Sequence, residues 1–198
     1  DAVYEDSVHP EQRRVFDCHS LVREYFAEQL RRRLPNSWRE AQHRLYDYYA
    51  QCTQQDIPEG LETMQPLFAA IRHGCQAGQY EHIFQEIYWK RIQRADDDYC
   101  AKTLGAPGAD LAVLSHFFVP AWKHPVEHLP DEMHTRLLDI AAIRLGEMGR
   151  LREAAELVKK GMVFWNILEN WEKAAQHAHT LSQLLLPSID LRQIHVGL

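Results

Sequence analysis

No two cysteines of this 198-residue chain stand at C-x-x-C spacing, no apolar run reaches the length of a membrane span, and positive charge is not in excess. Each of these absences removes a class of protein. Cys18, Cys52, Cys75 and Cys100 are widely separated, and a chain of this length needs no disulfide staples. They read as reduced thiols of a cytoplasmic protein, not as a secreted cysteine framework. The longest mainly apolar stretch, Leu111 to Trp122, is broken by Ser115, His116 and Pro120. It falls short of the ~20 residues that a span requires, so no membrane association is expected. Lys and Arg number 22 against 28 Asp and Glu, a formal net charge of −6, which supplies no basic footprint for nucleic acid. The sequence has no signal-peptide pattern, and Asp1, with no initiator Met, reads as a start inside a domain. What is present is an ordinary globular balance, 45% hydrophobic and 25% charged, with twelve histidines whose protonation would draw the net charge toward zero in mild acid.

Along the chain, short apolar pieces around Val3-Tyr4 and Val15-Phe16 flank a turn at His9-Pro10 and suggest a β-hairpin. Ser20 is a candidate cap for a helix with Leu21, Val22, Tyr25, Phe26 and Leu30 at helical spacing, ending in Arg31-Arg32-Arg33 before Pro35. Arginines in a last turn suit the negative end of the helix dipole. Ser37-x-x-Glu40 has the pattern of a capping box and predicts a second helix carrying Trp38, Ala41, Leu45, Tyr48 and Tyr49. A loop is expected over residues 54–60. Pro66 to Ala77 and Tyr80 to Gln93 then form a helical hairpin turned at Gly78-Gln79. The segment Arg94 to Pro130 is irregular, with one apolar helix expected from Asp110 to Phe118. Beyond Pro130, Asp131 to Met148 and Leu151 to Leu168 predict an antiparallel pair turned at Gly149-Arg150. A further helix runs from Trp171 toward Pro187, and Ile189 to Val196 begins another.

Gly78-Gln79-Tyr80-Glu81-His82-Ile83 aligns with Gly149-Arg150-Leu151-Arg152-Glu153-Ala154. Each is a turn glycine followed by a large apolar residue and then a core residue three further on. The helices before both turns carry small residues, Ala70 in one and Ala141 and Ala142 in the other, where a partner helix must come close. This pattern resembles the tetratricopeptide repeat, a helix–turn–helix unit of about 34 residues. A third copy beginning at Trp171 lacks the glycine.

A wider resemblance covers the whole chain. Phe16-Asp17-Cys18-His19-Ser20-Leu21-Val22-Arg23-Glu24-Tyr25-Phe26 resembles the end of the winged-helix domain of STAND proteins, the signal-transduction ATPases with numerous domains. Trp38-Arg39-Glu40-Ala41, Pro66-Leu67-Phe68, Tyr88-Trp89-Lys90-Arg91-Ile92-Gln93-Arg94 and Lys102-Thr103-Leu104-Gly105-Ala106 are similar to the helical arm that follows in bacterial members ending in tetratricopeptide repeats. The resemblance implies three parts: residues 1–34 as the end of a winged-helix domain, 35–130 as the arm with a first hairpin, and 131–198 as C-terminal hairpins. The chain departs from the family in having no G-x-x-x-x-G-K-[ST], so the phosphate loop and its lysine are missing.

Reactive constellations are weak. Cys18 and His19 are neighbours and would point apart on a strand. His177 and His179 lack the spacing that lets helical ligands converge, and Pro125 interrupts the better-spaced His124 and His128. His73 and Cys75 could reach one metal only from a loop. Asp96-Asp97-Asp98 lacks the Gly and Glu of an EF-hand and reads as a solvated charge run, while Gly105-Ala106-Pro107-Gly108 reads as a turn. The clearest binding signal is a basic-aromatic strip, Tyr88, Trp89, Arg91 and Arg94 with Lys102 nearby, because Trp and Arg are favoured interface anchors.

The sequence therefore predicts an all-α fold, a TPR-like stack of antiparallel helical hairpins with a winged-helix remnant (hairpin plus helix) at the N-terminus. It predicts no enzyme, no cofactor and no metal, but a protein-binding or ligand-sensing module of a STAND-type regulator, coupled to an ATPase elsewhere in the parent protein. The alternatives are a freestanding TPR-like scaffold and a nucleic-acid binder using the wing and Arg31–Arg33.

Overall fold

The computed structural model describes residues 19–52, 58–126 and 129–185; the side chains of Asp96, Gln183, Leu184 and Leu185 are not described. The expected hairpin of residues 3–17 and the segment from Ile189 to Val196 lie outside these residues. What is described is helical: α1 (Ser20–Arg33), α2 (Pro35–Gln51), α3 (Gln65–Ala77), a single turn α4 (Tyr80–His82) running into a π-helix (Ile83–Gln93), a short π-helix (Tyr99–Thr103), α5 (Pro107–Leu114), α6 (Asp131–Glu147), α7 (Leu151–Ile167) and α8 (Trp171–Leu185). Among the described residues there is no strand, only an isolated bridge between Phe118 and Pro125. No described helix is long and apolar enough to cross a membrane.

Helix starts follow backbone chemistry more than the side-chain caps that the sequence offers. α1 is capped by His19, whose Nδ1 accepts from the Leu21 amide at 3.3 Å, and not by Ser20, which is already inside the helix. The expected capping box at Ser37–Glu40 does not form. α2 starts at Pro35, whose ring presets the helical φ and whose missing N–H would have had no acceptor in a first turn. The helix expected from Asp110 to Phe118 begins earlier, at Pro107, for the same reason, and tightens into a 3-10 turn over Ser115–Phe117. Gly105, at φ +62, remains a turn residue, whereas Pro107 and Gly108 lie in the first turn of α5.

Both turn glycines sit in the left-handed region, Gly78 at φ +84 and Gly149 at φ +72. A side chain added at either would meet nothing within 4 Å, so these positions are conformational requirements, not steric ones.

The segment after Gly78 differs from an ordinary helix in its pitch. Its buried residues are Ile83, Phe84, Ile87, Tyr88, Ile92 and Gln93, recurring every four to five positions. The wider π-helical turn keeps all of them on one side. The π-helix ends at Arg94, and Arg94, Ala95 and Asp98 all adopt positive φ without being glycine, each conformation costing about 1–2 kcal/mol. Tertiary contacts hold this segment: Arg94 Nη2 donates to the Pro58 carbonyl at 2.7 Å, its guanidinium lies 3.3 Å over the Tyr99 ring, and the Tyr99 hydroxyl donates to the Glu59 carbonyl at 2.9 Å.

One continuous apolar core runs from Tyr46 in α2 to Val158 in α7. α2 packs on α3, α5 on α6, and α7 lies between α6 and α8. α1 buries none of its residues, and Leu21, Val22, Tyr25 and Phe26 are exposed on it.

Candidate functional site

The basic-aromatic strip is spread over separate contacts. Tyr88 is fully buried. Its hydroxyl donates to Asp110 Oδ1 at 3.0 Å, and its ring packs near Phe84 and Phe117. Trp89 lies on the next position of the π-helix, with the Arg136 guanidinium of α6 stacked 4.3 Å from its ring. Arg91 reaches the Ala50 carbonyl at 3.4 Å, and Arg94 is held by Pro58 and Tyr99. Lys102 is exposed and pairs with Asp98 at 3.5 Å.

Tyr88 instead belongs to a buried polar cluster between the π-helix, α5 and α6. Asp110 is fully enclosed and accepts from Tyr88, from Gln93 Nε2 at 2.9 Å and from Arg144 Nε at 2.7 Å. Arg144, itself 1% exposed, also pairs with Asp98 and donates to Glu147 Oε2 at 3.0 Å. Burial pushes the Asp110 carboxyl up to about 7 against the hydrogen bonds from Tyr88 and Gln93, and the adjacent guanidinium is the counter-charge that stabilises its ionised form. Both oxygens of Asp110 are occupied by protein donors, which makes the cluster a brace between elements. Asp98, in the expected charge run, is thus a structural partner of Arg144 and Lys102.

The dispersed histidines are also engaged individually. His73 stacks on Tyr49 with centroids 5.4 Å apart, while Cys75 lies in the core, its thiol pushed well up by burial. Among the described residues no group of three His, Cys, Asp or Glu side chains is gathered as a metal would require. Cys18 and His128 lie outside the described residues.

One surface feature with the form of a binding site is a groove of about 450 Å³ between α6 and α8, with Val158 of α7 in its floor. Ala142 and Ile143 line one side, and Ile143 is 53% exposed although it is a large aliphatic side chain. Gln176 and Thr180 of α8 supply the opposite, polar edge. His177 crosses between the helices. Its Nδ1 faces the Lys173 carbonyl at 2.9 Å and its Nε2 faces Asp139 Oδ1 at 2.6 Å. Both neighbours are acceptors, so both ring nitrogens are suited to carry hydrogen, and the bond to Asp139 raises the His177 pKa. The helices can come this close because α7 has Gly161 under the ring: a Cβ there would stand 2.6 Å from His177 Nε2.

The sequence reading passed over Ile143, Asp139 and His177 as a group. The available signal was Ile143 itself, an aliphatic residue off the buried stripe of Leu138, Ala141, Ala142 and Leu145. Comparison with known protein families, curated proteins and solved structures finds nothing that matches the chain.

Proposed function

We propose that this chain is a protein-binding module that receives a partner segment in the groove between α6 and α8. The observation that carries the proposal is the exposed aliphatic side chain of Ile143 on one wall of the groove, with Val158 in the floor and Asp139, Gln176, His177 and Thr180 as the polar rim. An apolar floor gives affinity to a side chain inserted from outside, and a polar rim orients the inserted backbone. Consecutive packing of α6, α7 and α8 supports a TPR-like stack, the architecture that presents such grooves along one face. With the resemblance to STAND regulators, the reading extends to a sensing role within a cytoplasmic signalling protein, in which occupancy of the groove is coupled to an ATPase domain elsewhere in the parent. Protein is favoured over nucleic acid because Arg31 and Arg32 of the basic triplet both pair with Glu28, at 2.5 Å, which lowers its free positive charge. Trp89 of the π-helix, on whose ring Arg136 of α6 stacks, and exposed Lys102 are secondary contacts in this reading.

Selection from a displayed peptide library on the immobilised chain tests the proposal. Enriched peptides should lose affinity at least tenfold, about 1.4 kcal/mol, for Ile143→Glu. They should be unaffected by Ile167→Glu, a substitution at an exposed α7 position 74% accessible and outside the groove. Equal loss in both variants, or in neither, would remove the groove as the binding site.

A further inference from the structure

We infer that the cleft between α1, α2 and α3 is a small-molecule site for an oxyanion, phosphate or carboxylate, carried on a flat ring. The cleft encloses about 600 Å³, within the range of ligand pockets. It is separate from the α6–α8 groove and the inference does not depend on that reading.

A chain of hydrogen bonds aims a cation into it. Arg72 of α3 lines the cleft, and its Nη2 lies 3.2 Å from His73 Nε2. A guanidinium can only donate, so His73 Nε2 must be the accepting, unprotonated nitrogen. The proton of neutral His73 is then on Nδ1, which faces Gln42 Oε1 at 2.7 Å, and Gln42 is a buried side chain of α2. Burial, joined by the charge of Arg72, holds His73 down to about 4 and so keeps this relay neutral. Arg72 is therefore oriented without being neutralised. Among the described residues no carboxylate pairs with it. His116 lines the cleft from the 3-10 turn after α5, where burial and, second, the charge of Arg72 lower its pKa; a neutral imidazole still has one N–H to give to the same ligand.

The remaining walls define what the anion is attached to. Trp38 and Tyr80 contribute ring surfaces, on which a planar group stacks favourably. Glu24 and Glu28 stand on the α1 side. Glu28 is occupied by Arg31 and Arg32, but Glu24 places negative charge in the cleft, which disfavours polyanions and selects a compact ligand with a single anionic group.

The experiment is calorimetric titration of the full chain with phenyl phosphate, benzoate, inorganic phosphate and phenol, with thermal melts alongside. Phenyl phosphate or benzoate should bind saturably and raise the melting temperature, the stronger of the two identifying the oxyanion, and phenol should not bind. Arg72→Gln should weaken the ring-bearing anion at least tenfold. Trp38→Leu should reduce it to the level of inorganic phosphate. Arg72→Lys, which keeps the charge but loses the forked donor, should fall between wild type and Arg72→Gln, and carries the test if the glutamine variant is unfolded by circular dichroism. Absence of saturable binding to wild type in the millimolar range, or undiminished binding by the Arg72 variants, overturns the assignment.

Discussion

Arg144 of α6 and Asp110 of α5 meet inside the core, Nε to Oδ2 at 2.7 Å, with both side chains almost completely enclosed. Thirty-four positions separate them in sequence, and their pairing ties the two halves of the chain through the polar cluster that also holds Tyr88, Gln93 and Asp98.

Removing one partner should be far worse than removing both. Arg144→Met leaves Asp110 buried without its counter-charge and is expected to cost about 3–5 kcal/mol. Adding Asp110→Leu should recover part of that loss. Urea denaturation of the two single variants and the double variant closes the cycle; losses that simply add would show that the two residues do not depend on one another.

Gly149 should tolerate substitution according to backbone conformation alone, since nothing occupies the space around it. Gly149→Val is expected to lose about 1 kcal/mol or more, and Gly149→Asn less, because asparagine enters the left-handed region more readily. Equal melting temperatures for the two variants would show that φ is not what limits this turn.

How much of this could be read beforehand depended on whether a feature was local. The limits of α6, α7 and α8 followed from spacing such as Leu137, Leu138, Ala141, Ala142 and Leu145, and from Gly149, because a helix's period and its turn are written in adjacent residues. The π-helix was missed because its buried positions begin as an α-helical stripe would, at Ile83, Phe84 and Ile87, and separate from it only at Ile92 and Gln93. The capping box at Ser37–Glu40 was a sound local pattern overruled by Pro35. Arg144 and Asp110 each stood on an apolar helical face, an inward charge that signals a buried partner, but which partner was fixed only by packing. The groove likewise needs α6 and α8 side by side.

Histidines should make stability depend on pH in two opposite ways. His73 is lowered to about 4, so it binds a proton more readily unfolded than folded. Its contribution is complete above about 6.5 and is lost as pH falls from there toward 4. His116 and His134, both lowered by burial, act in the same sense. His177 is raised by Asp139, so its contribution is complete below about 6.5 and is lost as pH rises through its folded value. Proton NMR titration should place the His73 ring near 4 and the His177 ring above 6.5, and His177→Gln should flatten only the alkaline side of the stability profile. Coincident titration of the two rings would refute both assignments.

Gly161→Ala should disturb the groove without introducing charge. The new methyl would require the His177 ring to move off α7, stretching its bond to Asp139. The expected result is a His177 pKa shifted back toward the ordinary histidine value, read by the same titration. An unaltered value would show that α7 and α8 can separate and leave the pair intact.

Partner binding between α6 and α8 is tested most directly by amide hydrogen exchange on the chain with and without a selected peptide. The account predicts slowed exchange concentrated in α6 around Ile143 and in α8 around Gln176 to Thr180, with Ile143→Glu abolishing it. Slowed exchange confined to α1 or to the segment from Trp89 to Lys102, with α6 and α8 unchanged, would contradict it.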